Sequence, residues 1–263
     1  MTTEISPRKI IKPKQKDKSK RIYIIDEIRG TAVIAMVVYH FLFSAGYVFR
    51  YVTAWNIFKS IRFIEPIIAV TFVFLSGVCT KLSRSNLKRG AVLFAIALAV
   101  NVVTEIFVPS IAIRFGVINL LSVCMILYGV FEDILKKVNP ILGMLLSFAA
   151  FMLTWGLNYR YIGLFAYKLF DIPDILYQTD FLFPLGFRNE TFRSGDYFPM
   201  FPWVFMFTLG ANFTELFDGK ALPETFYKKH SRVLSKAGKY SLIIYMVHQP
   251  VIFAVIYVFE YLY

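Results

Sequence analysis

Seven long runs of apolar residues, separated by short polar segments, dominate this sequence. A helix needs about 20 apolar residues to cross a hydrocarbon layer of ~30 Å, and each run comes close to that length. The pattern therefore predicts an all-α polytopic membrane protein with about seven transmembrane helices. The predicted spans are 28–48, 63–82, 90–108, 114–131, 140–157, 198–217 and 239–260.

The composition agrees with a multi-pass protein of the cell membrane. Of the 263 residues, 57% are hydrophobic and 17% are charged, and the mean hydropathy is +0.59. An ordinary soluble domain carries about 25% charged residues, so a soluble globule of this composition would lack polar surface. The two cysteines, Cys79 and Cys124, both lie inside apolar runs and predict neither a disulfide nor a metal site.

The net charge of +12 is distributed unevenly between the two sets of loops. With a cytoplasmic N-terminus, 21 of the 29 Lys and Arg residues lie on the cytoplasmic side and 8 on the outer side. Positive residues accumulate in cytoplasmic loops of membrane proteins. The sequence therefore predicts a cytoplasmic N-terminus and a C-terminus outside.

One polar region, 1–27, precedes the predicted membrane domain, 28–263, and another, the outer loop 158–197, lies within it. Residues 1–27 are predicted to be a basic cytoplasmic tail attracted to anionic lipid headgroups, so membrane lipids are expected partners and nucleic acid is not. The outer loop, 158–197, contains eleven aromatic residues and several aspartates. Such a loop is either a hairpin on the membrane surface or a lid that presents rings and carboxylates to a sugar, and both remain open.

One face of the first predicted span contains ionisable groups. Arg29, Met36 and His40 lie within about 20° of one stripe, and Arg29 and His40 are eleven residues apart, which corresponds to about 16 Å along the helix axis. An ionisable residue inside a membrane is costly, which makes His40 a candidate for function. The alternative is a neutral histidine hydrogen-bonded to a neighbouring helix.

Small and basic residues follow one another at the end of the second predicted span and beyond it. Ser76 and Gly77 could simply allow close helix packing, and the cations could serve only as positive-inside signals. Clustered Arg and Lys also suit the phosphates of a nucleotide-like cofactor. The candidate residues are Ser76, Lys81, Arg84, Lys88 and Arg89.

Two later segments add polar candidates. Asp196 precedes the sixth predicted span, and His248 and Gln249 precede Pro250 in the last span. Pro250 frees the backbone carbonyl of Met246 from its helical hydrogen bond. His248 or Gln249 could satisfy that carbonyl, or His248 could be catalytic.

Five segments, taken in order, resemble the motifs of one family. They are RIYIIDEIRGTAVIAMVVYHFLF (21–43), FVFLSG (72–77), FGVIN (115–119), DYFPMFPW (196–203) and GKYSLIIYMVHQP (238–250). The chain resembles, over about residues 21–255, the bacterial relatives of heparan-α-glucosaminide N-acetyltransferase among the transmembrane acyltransferases. Two positions depart from the family pattern. Members often have histidine where this chain has Asn119, and the eukaryotic branch has its catalytic histidine in a loop that corresponds to residues 47–62, which contain none.

The resemblance implies transfer of an acetyl group from cytosolic acetyl-CoA to an amino or hydroxyl group of a sugar or glycan on the far side. It also implies that His40 is catalytic, either as a general base or as an acetyl carrier. Asp196 is expected to orient the acceptor or His40, and His248 is a second catalytic candidate. Acetyl-CoA is expected to bind at Arg29, Ser76, Arg84, Lys88 and Arg89, without a metal.

Other functions fit part of the same pattern. Polar groups on helix faces also line the pathways of transporters and of lipid-linked glycan flippases. Inverted repeats would favour that function, and none is visible in the sequence. A membrane scaffold without chemistry would leave His40 unexplained, and a homodimer remains open.

Overall fold

The computed structural model describes residues 21–165, 167–217 and 222–262, and most of this part of the chain is helical. The predicted basic tail lies outside the described residues up to residue 20. The first helix begins at Tyr23, five residues before the predicted start of the first span. The helices are α1 (Tyr23–Phe43), α2 (Val52–Ile61), α3 (Ile64–Val78), α4 (Asn86–Phe107), α5 (Val117–Leu135), α6 (Pro140–Thr154), α7 (Met200–Glu215), α8 (Arg232–Lys239) and α9 (Ser241–Leu262).

Six helical segments in the described part of the chain are long and apolar enough to cross a membrane. These are Tyr23–Val48, Ile64–Leu82, Asn86–Phe107, Val117–Leu135, Pro140–Tyr159 and Ser241–Leu262. The predicted span at 198–217 corresponds to α7, which has 16 residues and a non-helical Phe201 near its start, so it is shorter than these six. The all-α polytopic fold is confirmed, while the number of spans and their orientation stay predictions.

The apolar pattern missed the elements that are too short or too polar to cross a membrane. Helix α2 has 10 residues, and α8 has 8 residues with a strongly polar exposed side. The outer loop contains an antiparallel hairpin of two strands, β1 (Tyr161–Leu164) and β2 (Tyr167–Asp171). A π-helix, Ser44–Val48, extends α1 beyond His40.

Glycines bring the central helices into backbone contact. A Cβ atom at Gly77 of α3 would collide with the carbonyl oxygen of Phe207 in α7, and a Cβ atom at Gly210 of α7 would collide with that of Phe74. Small residues permit this close approach between membrane helices. Helix α7 also packs against α6, where the hydroxyls of Ser147 and Thr208 lie 3.0 Å apart. The shorter α7 is therefore a central helix of the fold.

The Glu27 carboxylate, near the beginning of α1, holds the start of α8 by hydrogen bonds. One carboxylate oxygen accepts hydrogen bonds from the backbone N–H groups of His230 (2.8 Å) and Ser231 (2.9 Å) and from the Ser235 hydroxyl (2.9 Å). Backbone N–H groups at a helix start have no partner inside the helix, so Glu27 caps α8 from outside it. Gly238 lies so close to the Asp26 carbonyl oxygen that a Cβ atom would collide with it.

The first and last helices lie side by side and run in the same direction. His40 lies beside His248, and in the π-helix that extends α1, Ala45 packs against Ile252 and Ile256 further along α9. Helix α3 runs the opposite way along α1, because Cys79 is next to Arg29 near the start of α1. The candidate site forms where α1 meets α9.

Candidate active site

Two imidazole rings from opposite ends of the sequence form the centre of the site. The ring centroids of His40 in α1 and His248 in α9 are 5.0 Å apart, with their planes tilted by 57°. His248 is buried and His40 is partly buried. The two histidines that the sequence put forward as catalytic candidates are therefore neighbours.

A backbone carbonyl determines which nitrogen of His248 holds the proton. The Nδ1 atom lies 2.5 Å from the carbonyl oxygen of Tyr245. A carbonyl oxygen can only accept, so Nδ1 donates and Nε2 of the neutral ring keeps a lone pair. Nε2 is buried without a hydrogen-bond partner among the described residues. The hydrogen bond of His248 thus goes to Tyr245, not to the Met246 carbonyl that the Pro250 pattern pointed to.

The Gln249 amide connects His40 to the π-helix. Its Nε2 atom lies 3.2 Å from His40 Nδ1. Its Oε1 atom accepts a hydrogen bond of 3.2 Å from the hydroxyl of Ser44, which is 1% exposed. Gln249 therefore contacts the site and not the Met246 carbonyl.

Asp196 joins the site through Tyr245. Its Oδ2 atom accepts a hydrogen bond from the Tyr245 hydroxyl and one of 3.0 Å from the backbone N–H of Val117 at the start of α5. The Tyr245 ring lies 5.6 Å from the His248 ring. Burial raises the pKa of Asp196, and these two hydrogen bonds oppose the rise. Asp196 is thus linked to the His248 side of the pair.

A glycine allows Asp196 to reach α5. A Cβ atom at Gly116 would collide with Asp196 Oδ2. Asn119 reinforces the same helix start, because its Oδ1 atom accepts a hydrogen bond of 3.1 Å from the Gly116 N–H. The carboxylate also sits at the N-terminus of a helix, where negative charge is stabilised. Asp196 is therefore held by three elements: its own loop, α5 and α9.

The basic candidates lie away from the histidines. Arg29 bonds to Cys79 Sγ at 2.9 Å and lies 3.6 Å from an Asp26 carboxylate oxygen. The helix rise places it about 16 Å from His40 along α1. Arg84 lies just before α4 and Lys88 and Arg89 lie near its start, all three exposed, and Ser76 is partly buried in α3. Lys81 forms an ion pair of 2.5 Å with Glu215.

The outer loop contains a polar cleft of about 370 Å³. Arg160 bridges its two sides, with ion pairs of 3.2 Å to Asp174 and 3.3 Å to Glu190. The cleft is lined by Arg160, Asp174, Tyr177, Gln178, Asn189 and Glu190. Burial raises the pKa of Tyr177 to about 12, so its phenol is neutral at physiological pH. Separately, the β1–β2 hairpin exposes aromatic side chains, with Tyr167 80% exposed.

Comparison with known families covers almost all of this architecture. The family model described as heparan-alpha-glucosaminide N-acetyltransferase, catalytic, matches residues 21–250. The chain belongs to this family. The match identifies it as a transmembrane acetyltransferase. Searches of curated proteins and of solved structures find no significant match.

Four of the segments that resemble this acetyltransferase family meet in the site, and the segment 115–119 contributes the Val117 N–H that binds Asp196. The segment 21–43 contributes His40, the segment 196–203 contributes Asp196, and the segment 238–250 contributes His248. Asn119, at the position where family members often have histidine, caps α5 beside Asp196. The residues that form the site thus lie within the part of the chain that matches the acetyltransferase family.

Sequence reasoning missed Ser44 and Tyr245 as members of the site, and it considered Gln249 only as a partner of the Met246 carbonyl. Their spacing from the two histidines along the helices could have identified them. Tyr245, His248 and Gln249 stand at positions i, i+3 and i+4 of α9, which share one helix face, and Ser44 follows His40 by four residues. Among the residues that the structure describes, no group of three or more His, Cys, Asp or Glu side chains could hold a metal ion.

Proposed function

We propose that this protein transfers an acetyl group from cytosolic acetyl-CoA to an amino or hydroxyl group of a sugar or glycan on the outer side of the cell membrane. The observation that carries the proposal is the free lone pair on His248 Nε2, next to His40 in a buried site. An amine or hydroxyl must lose a proton as it attacks an acyl carbon. The neutral imidazole of His248 has a lone pair on Nε2 that can accept that proton.

His248 acts as the general base in this proposal. Its Nε2 atom accepts the acceptor's proton while the acceptor's nitrogen or oxygen bonds to the acetyl carbon and the bond from that carbon to the CoA sulfur breaks. The proton then leaves with the thiolate, which restores the neutral ring. Asp196 and Tyr245 hold α5 and α9 together around His248. The resemblance assigned the base to His40, and the hydrogen bonds favour His248 instead.

Acetyl-CoA supplies the acetyl group as a reactive thioester. The exposed guanidinium and ammonium groups of Arg84, Lys88 and Arg89 suit its phosphates, and Ser76 lies near the end of the preceding helix, α3. Arg29 is less suited to phosphate, since its guanidinium is already in contact with Cys79 and Asp26.

Removing two of these cations should weaken acetyl-CoA binding. Charge-assisted hydrogen bonds contribute roughly 1.5–3 kcal/mol each, so Arg84→Ala with Arg89→Ala should raise the acetyl-CoA Kd at least about tenfold. Isothermal titration calorimetry on the purified double variant measures this. The control is Arg50→Ala with Arg62→Ala, which removes two arginines from the predicted outer side. An unchanged Kd in the folded Arg84/Arg89 variant would leave these residues as topology signals only.

We assign the glycan acceptor to the cleft in the outer loop. The cleft combines carboxylates, carboxamides and a guanidinium, which together supply donors and acceptors for sugar hydroxyls. Glu190 precedes Asp196 by six residues, so at most about 22 Å of chain separates the cleft from the site. A glycan longer than one sugar ring could therefore occupy the cleft while its end is acetylated.

The test is radiolabelled acetyl-CoA with a panel of single sugars and longer glycans, followed by identification of the product. Asp174→Asn with Glu190→Gln should raise the KM for a glycan about tenfold and leave the acetyl-CoA Kd unchanged, because charged hydrogen-bond acceptors are lost. Asp171→Asn, which alters an exposed carboxylate of the hairpin, is the control. Uptake or flipping of a glycan by the wild-type protein without any acetylated product would instead favour the transporter alternative.

A further inference from the structure

The two imidazoles of the site are held by groups of opposite hydrogen-bonding character. His248 Nδ1 faces a backbone carbonyl oxygen, which can only accept a hydrogen bond. His40 Nδ1 faces the Gln249 amide nitrogen, which can only donate one. The neutral His248 ring therefore has its proton on Nδ1, whereas the neutral His40 ring has its proton on Nε2.

Ser44 determines which end of the Gln249 amide faces His40. The Ser44 hydroxyl donates to Gln249 Oε1, which turns Nε2 towards the imidazole. Ser44 is almost fully buried and begins the π-helix that follows α1. Short π-helical turns inserted next to α-helices are frequent at functional sites. Here the π-helix starts about one helical turn after His40, at Ser44. Ser44 orients the Gln249 amide that faces His40.

We propose that Gln249, oriented by Ser44, is a positioning residue that keeps the His40 proton on Nε2. The site then presents one N–H donor, on His40, beside one lone pair, on His248. This inference rests on the proposed acetyl transfer and gives the two histidines different roles in it. His248 takes the proton of the attacking acceptor, while His40 Nε2–H donates a hydrogen bond to the carbonyl oxygen as negative charge develops on it.

The protonation of each ring is measurable by ¹⁵N NMR on protein labelled at histidine. The chain has three histidines, and the third, His230, lies beside Glu27 at the α8 start, so replacing each in turn assigns the signals. In the wild type we expect a non-protonated Nδ1 on His40 and a non-protonated Nε2 on His248. In Gln249→Met, His40 should become a mixture of both tautomers while the His248 signals stay unchanged.

The same variant has a kinetic signature that a purely structural role would not produce. Loss of one preorganised donor to a developing oxyanion costs about 10²-fold in kcat. Gln249→Met should therefore lower kcat by about that factor, with little change in the acetyl-CoA Kd. Ser44→Ala should give a smaller loss, because Gln249 remains present and only its orientation is freed.

A second variant keeps the inference testable if Gln249→Met does not fold. In Gln249→Glu the carboxylate can only accept, so His40 Nδ1 should become protonated. A protonated His40 Nδ1 in the wild type, or Gln249 variants that change neither the His40 signals nor kcat, would overturn the proposal. Wild-type protein that shows both expected tautomers but forms no acetylated product would overturn the proposed function and leave the proton assignment standing.

Discussion

Replacing His248 by alanine should reduce acetyl transfer by about 10²–10⁴-fold, the usual range for loss of a general base. The buried Nε2 lone pair is the group that accepts the proton, and alanine offers no substitute for it. Acetyl-CoA binding should persist, since the basic candidates lie at the other end of α1. The measurement is turnover of radiolabelled acetyl-CoA at saturating substrate, together with the acetyl-CoA Kd. Wild-type activity should also fall on acidification, because a protonated imidazole has no lone pair to offer.

The other two histidines provide the comparison for this prediction. His40→Ala should lower turnover by about 10²–10³-fold if it removes a donor to the developing oxyanion. His230→Ala, near the start of α8, should leave turnover close to that of the wild type. A folded His248→Ala protein with more than about a tenth of wild-type turnover would move the base to His40, the residue that the family resemblance favoured.

Replacing Glu27 by alanine should destabilise the protein by about 3 kcal/mol or more. The carboxylate is 7% exposed and accepts hydrogen bonds from two backbone N–H groups and one hydroxyl of the α8 region. Hydrogen bonds to charged groups contribute roughly 1.5–3 kcal/mol each, and their loss leaves buried donors without partners. Thermal unfolding in detergent should show a lower Tm, and proteolysis at 222–240 should become faster.

Two variants separate capping from simple loss of charge. Glu27→Gln retains an oxygen acceptor and should recover part of the stability. Glu132→Ala removes a carboxylate from an exposed ion pair with Lys136 and should cost less than about 1 kcal/mol. If Glu27→Ala unfolds at the same temperature as Glu132→Ala, the carboxylate does not hold α8 in place.

The helices that are long and apolar enough to cross a membrane could be predicted, because length and apolarity are local properties of the sequence. Helix α8 could not, since it has only 8 residues, half of them polar, and its position depends on Glu27, some 200 residues earlier in the chain. Likewise α2 is too short to register as a span. Helix α7 was predicted at nearly its true place, but its central position follows from glycine contacts that only the folded chain brings together.

For the site, too, single residues could be predicted from the sequence, whereas the contacts between distant residues could not. His40 and His248 could be put forward because ionisable groups are costly in apolar surroundings, and Asp196 because it lies in a segment that resembles the family. Their grouping could not be predicted, because it requires α1 and α9 to be parallel neighbours. The roles of Tyr245, Gln249 and Ser44 depend on contacts across that interface. The basic candidates for cofactor binding were identified by residue type alone, and the structure does not bring them to the histidines.

The pairing of the first and last helices has a consequence for biogenesis. His40 and His248 are separated by 208 residues of chain. At 5–20 residues per second, a ribosome needs roughly 10–40 s to make that length. During this interval α1 has no α9 beside it, and His40 lacks both Gln249 and the second imidazole. A nascent chain that stops before its last helix is therefore expected to be catalytically inert, so that acetyl-CoA is not consumed by unfinished protein.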